Sequence, residues 1–176
     1  DTNGSLHRWF AAQPPVTLAT GTGQDVGTAV AFQVPQTDFT VECTVNCPDY
    51  STGANQGLMG QYITGAGQRC WTVALGPTGT IVLFGSNTGA AVTTLATTAT
   101  VYSAGITDSG RARVKVTFTH TGSAIDARVY AAPGINSPSE FQMQPSWTQL
   151  GTLSFPFATF FNTTCVAHVG SRFRTG

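Results

Sequence analysis

Apolar and polar side chains alternate along several short stretches of this chain. Phe39, Val41, Cys43, Val45 and Cys47 face one way, while Thr40, Glu42, Thr44 and Asn46 face the other. A period of two sets one face of a strand against a core and leaves the other to water. Arg111 to His120 repeats the pattern, with Ala112, Val114, Val116 and Phe118 opposite Arg113, Lys115 and Thr117. Ala124 to Ala132 sets Ile125, Ala127, Val129 and Ala131 against Asp126, Arg128 and Tyr130, and Thr121-Gly122-Ser123 supplies the turn between these two arms. No helical period of useful length runs beside them, so the chain must build sheets.

Gln68 to Ser86 reads as a hairpin. Trp71, Val73 and Leu75 share one side of the first arm, which predicts a core position for Trp71. Gly76-Pro77-Thr78-Gly79 is a turn, and Thr80 to Phe84 is the near-continuous apolar run of a central strand. Further strands are expected at Val16–Ala19, Thr28–Val34, Gly57–Ile63, Trp147–Leu153 and Cys165–Ser171, with one or two more within Ala90–Tyr102. About ten short strands separated by turn signals describe a sandwich or barrel. Residues 1–15, with Pro14-Pro15, read as an N-terminal arm or linker, and residues 16–176 as a single domain.

Composition narrows the function. Charged residues make up 9% of 176, with eight basic and eight acidic side chains. There is no basic stripe of the kind that phosphate backbones require, so nucleic acid is not an expected partner. No apolar run reaches the roughly 18–20 residues of a membrane span. The chain opens at Asp1 without Met, which points to a processed chain or a segment of a longer one. So uncharged a surface suits a chain packed against copies of itself or other subunits.

Cysteines at 43, 47, 70 and 165 could form two disulfides, but Cys43 and Cys47 lie roughly 13 Å apart on a straight strand and cannot bridge each other. Free buried thiols are the expected state, with a disulfide between strands as the alternative. The cysteine spacings are not those of a zinc knuckle, and His7, His120 and His168 are isolated, so no metal or other cofactor is expected. Glycoside hydrolysis needs two facing carboxylates, about 5–5.5 Å apart for retention or about 6.5–9.5 Å for inversion. Glu42 and Glu140 are the two glutamates, and no Asp lies two or three residues from either. An enzyme built on paired acids is therefore not expected.

The order of these segments resembles the concanavalin A-like (laminin-G-like) lectin and glucanase superfamily. Phe39 to Val45, Gly60-Gln61-Tyr62, Gln68 to Val73 and Gly79 to Leu83 are similar to its successive strands. So are Arg113 to Phe118 and Ala127 to Tyr130. Ser146 to Gly151 followed by Val169 to Arg172 resembles the version found in phage and prophage tail proteins. The resemblance covers roughly residues 28–176. It implies an all-β, antiparallel jelly-roll sandwich of two sheets. Members usually have one more strand after the last motif, and further chain, a swapped N-terminal arm or a neighbouring subunit is expected to cover that sheet edge here. The acidic ligands of calcium-binding members are not evident.

The resemblance also implies a role at a virion surface, in a tail, fibre or capsid, through other virion subunits, self-association or a cell-surface glycan. A secreted, extracellular lectin or the binding module of a glycosidase is the alternative. A sugar site combines an aromatic platform with planar polar side chains. The candidates are Tyr50, Tyr62 and Trp147, with Gln61, Arg69 and Arg172. Core or subunit packing for the rings, and ion pairing for the arginines, are the competing roles. Phe155, Phe157, Phe160 and Phe161 either fill one end of the sandwich or form an exposed patch.

Overall fold

The computed structural model describes residues 24–27, 37–64, 67–135, 145–161, 167–169 and 174–175. The strands are β1 (Gln24–Gly27), β2 (Phe39–Asn46), β3 (Gln56–Thr64), β4 (Gln68–Leu75), β5 (Thr80–Gly85), β6 (Thr93–Thr100), β7 (Arg111–His120), β8 (Ile125–Pro133), β9 (Thr148–Phe155), β10 (Ala167–Val169) and β11 (Arg174–Thr175). The larger sheet runs β1-β10-β3-β4-β5-β6, with β11 beside β3, and the smaller runs β2-β7-β8-β9. The molecule is all-β, with a 3-10 turn at Val101–Ala104. Two antiparallel sheets pack face to face as a β-sandwich.

Alternation translates directly into that packing. The inward sides of β7 and β8 supply Ala112, Val114, Val116, Phe118, Ile125, Ala127, Val129 and Ala131, all buried. Trp71, Val73, Leu75, Ile81 and Leu83 meet them from β4 and β5. Aromatic rings join the two layers: Trp71 lies 5.8 Å from Phe39 and 6.1 Å from Phe118, centroid to centroid. Phe39 stacks on Phe118 at 4.6 Å.

The hairpin forms as its residues predict. Gly76 N–H donates to Thr80 O, and Gly79 takes a φ of +81° that residues with a Cβ rarely adopt. A Cβ there would also lie 2.9 Å from the Tyr102 ring. The phenylalanine cluster fills one end of the sandwich: Phe155, Phe157 and Phe160 are buried, and Phe161 N–H donates to Ser86 O. At Gly85 a Cβ would stand 2.7 Å from Phe155 and 2.8 Å from Phe160, so only a bare backbone fits under those rings.

Several expectations differ in detail. Ala90–Tyr102 holds one strand, β6, and its last residues turn into the 3-10 segment. Thr-rich β6 places Leu95, Thr97 and Ala99 toward the core, and the polar Thr97 among them leaves no apolar alternation to mark it. β1 was not expected: Gln24-Asp25-Val26-Gly27 has no pattern of its own and pairs with β10. β9 runs two residues further than expected, through Phe155. The expected strands at 16–19 and 28–34, and the N-terminal arm, lie outside the described residues. Cys43 and Cys47 are free thiols, and Cys47 and Cys70 are buried in the core.

Candidate functional site

Of the six residues proposed from sequence, five are described; Arg172 lies outside the described residues. Tyr50 is fully buried. Its hydroxyl lies 2.8 Å from Gly110 O and 3.1 Å from Val45 O, and its N–H donates to Asp108 Oδ1 at 2.9 Å. Tyr102 O–H donates to the same carboxylate oxygen at 2.8 Å. These bonds hold Asp108 below the usual carboxylate range, the Tyr50 N–H contributing most. Tyr50 thus ties β2 to the loop before β7 and offers no ring face to a sugar. Burial pushes its phenol up to about 12.

This gives a pH dependence with a definite sign. Between pH ~10 and ~12 the unfolded chain releases the Tyr50 proton while the folded chain keeps it, so stability falls as pH rises. Tyr50→Phe is expected to cost about 1–3 kcal/mol near neutral pH, because the hydroxyl that is shared between the half-buried Gly110 and Val45 carbonyls is lost. The same variant should show a shallower loss of stability between pH ~10 and ~12. Urea unfolding across that range checks both.

Gln61 and Tyr62 are buried as well. Gln61 sits opposite Trp71 on the core side of β3, and Tyr62 points to the other face, 6.2 Å from Phe84. Arg69 donates from its guanidinium to Ala90 O, and its N–H bonds Gly89 O, so it ties β4 to the turn before β6. Only Trp147 among the five is placed in a partly exposed cluster of recognition-type side chains.

That cluster lies on the outward face of the four-stranded sheet. β2, β7 and β8 are in full register, which puts Glu42, Lys115 and Tyr130 in one row, with Gln149 of β9 beyond. The neighbouring row is Thr44, Arg113 and Ala132. Trp147, just before β9, lies under both cations: Lys115 Nζ is 4.2 Å and Arg113 Cζ 5.3 Å from its ring centroid. Lys115 Nζ is also 4.9 Å from the Tyr130 ring. Such contacts attract a cation through the negative face of the ring. Arg113 is buried, and its Nε donates to Glu42 Oε1 at 2.9 Å, with Nη2 bonded to the same oxygen. Burial pulls the Lys115 pKa below that of an ordinary lysine, against the opposing pull of Glu42.

Sequence reading had Arg113, Lys115 and Tyr130 on outward faces but did not join them to Trp147. The signal that could have done so is the pairing of the 111–120 and 124–132 arms around their turn, which sets Lys115 beside Tyr130. Trp147 follows a loop, so its approach is not readable from spacing.

Five of the described carboxylates, Asp38, Glu42, Asp49, Asp108 and Asp126, hold hydrogen bonds. Asp38 accepts His120 N–H at 2.8 Å, Asp49 accepts Ser51 N–H at 2.6 Å, and Asp126 accepts the Ser154 hydroxyl at 2.7 Å. Glu42 and Asp108 hold the bonds given above. Among the described residues no group of His, Cys, Asp and Glu is arranged to hold a metal ion, and no helix is long and apolar enough to cross a membrane. Compared with family models and with curated proteins, the sequence matches none.

Proposed function

We propose that this chain is a non-enzymatic structural and adhesion domain of a phage virion, carried on a tail, fibre or capsid surface. In this reading the sandwich is a concanavalin A-like jelly roll, and it meets other virion subunits and host glycans. The motif order supports it. So does the strand order β2-β7-β8-β9, in which the chain leaves one sheet after β2 and returns to it only at β7.

One observation carries the non-catalytic part. Asp38, Glu42, Asp49, Asp108 and Asp126 each accept a hydrogen bond that fastens a strand, turn or loop. Each bond gives its carboxylate a task in holding the fold. The exposed chemistry is instead a row of rings, amide and cations, which suits recognition. The free thiols at Cys43 and Cys47 suit assembly in a reducing compartment better than secretion.

The test is sedimentation of the isolated chain together with cross-linking in intact particles. Oligomers, or cross-links to neighbouring subunits, are the expected result. A stable monomer with no neighbour in any particle would overturn the assembly role. Cleavage of an oligosaccharide that disappears in Glu42→Gln or Asp126→Asn would overturn the non-enzymatic one.

A further inference from the structure

We propose that the outward face of the four-stranded sheet binds an acidic saccharide, one bearing a carboxylate or sulfate, with Lys115 as the anion's partner. Tyr130, Gln149 and Arg128 flank that position, and Trp147 backs it. The inference deepens the adhesion reading by naming the class of glycan and its seat, and rests on it.

Lys115 carries an unmet charge. Glu42 is the acid next to Lys115 in register, but its carboxylate is bonded to Arg113. Lys115 makes no ion pair among the described residues. Its ammonium carries three donors, and the two rings beside it attract the charge without accepting those hydrogen bonds. The group is also partly withdrawn from water, which is why its pKa is lowered. An anion arriving over the sheet would complete its bonding.

The wider face has the same sign. Alternation puts Arg111, Arg113, Lys115 and Arg128 on it, four of the chain's eight basic residues, against Glu42 and Asp126. Arg128 is exposed one row from Lys115, and Asp126 is bonded to Ser154. This excess is modest, enough for one or two acidic groups and too small for a nucleic-acid backbone.

The surroundings favour a sugar over an acidic peptide. β7 and β8, which carry Lys115 and Tyr130, are interior strands hydrogen-bonded on both sides, so a peptide could add as a strand only at β2 or β9, away from the Lys115 ammonium. What the face presents is side chains: the Tyr130 ring, the exposed Gln149 amide, and the hydroxyls of Thr117 and Thr152. Those groups fit the C–H face and hydroxyls of a pyranose.

Calorimetric titration of the full chain tests this with 3′-sialyllactose, a heparin-derived tetrasaccharide, lactose and an oligoglutamate peptide. At least one acidic sugar is expected to bind, lactose at least about tenfold more weakly, and added salt should weaken the acidic ligand. Lys115→Met keeps the stem and removes the charge, and should weaken that sugar about tenfold or more without shifting the unfolding temperature. Arg128→Gln, at an exposed position, should weaken it in the same direction. Failure of both acidic sugars to bind, lactose bound equally well, or affinities unchanged in both variants would overturn the proposal. So would the peptide binding as tightly in a Lys115-dependent way. A neutral sugar bound without help from Lys115 would remove the acidic class and keep adhesion. The assembly role stands or falls separately, on sedimentation and cross-linking.

Discussion

Phe118→Ala is expected to destabilise the domain by about 3–5 kcal/mol, the usual cost of removing a fully buried phenylalanine and leaving a cavity. In a chain of this size that lowers the unfolding temperature by roughly 10 °C or more. Phe118 is 1% exposed. Its ring stacks on Phe39 at 4.6 Å and meets Trp71 at 6.1 Å and Phe160 at 5.6 Å. The cavity would therefore open where both sheets and the phenylalanine cluster converge, and rings held from three sides have little freedom to collapse into it. Scanning calorimetry and urea unfolding provide the measurement. A loss below about 1 kcal/mol would mean that the two layers do not share this contact.

Glu42→Ala comes next, with an expected loss of about 2–3 kcal/mol. Breaking a buried ion pair costs about 3–5 kcal/mol because the surviving charge stays buried. The lower figure applies because the Glu42 side chain is 27% exposed, whereas that of Arg113 is only 6% exposed. Deleting the acid strands a guanidinium that water can barely reach. The double variant Glu42→Ala/Arg113→Met should recover part of the loss, since it removes the stranded charge and keeps an apolar stem beside Trp147. A cycle of the single and double variants isolates the coupling. Purely additive losses would show that the pair is solvated and structurally idle.

The two substitutions probe opposite faces of the same strand pair, and sequence revealed those faces unequally. That Phe118 points inward follows from the alternation of Ala112, Val114 and Val116 before it. That Arg113 points outward follows from the same count. That Arg113 is nonetheless buried does not follow, because its cover comes from β2 and from Trp147. Tyr50 shows the converse. It follows Pro48-Asp49 in a polar loop, where exposure is the ordinary expectation. It is instead buried, because carbonyls of Val45 and Gly110 and the Asp108 carboxylate converge on it. Gly110 and Asp108 are some sixty residues away in the chain, and no local pattern reports them. Tyr62 and Gln61 failed as surface candidates for a related reason. Central strands such as β3 and β4 are covered on both faces, so alternation there no longer separates inside from outside.

The chain's own residues determined that it would be all strand, where the main strands and the Gly79 turn fall, and which side of β2, β7 and β8 meets the core. These are local properties: successive side chains on an extended backbone point to opposite faces, and glycine alone relaxes freely into a positive φ. Only the tertiary structure decided which strands are neighbours beyond the two hairpins, and with them the approach of Trp147 to Lys115 and the commitment of Glu42 to Arg113. Pairing and register are set by contacts between residues far apart in the chain, and a period of two is the same whichever partner lies alongside.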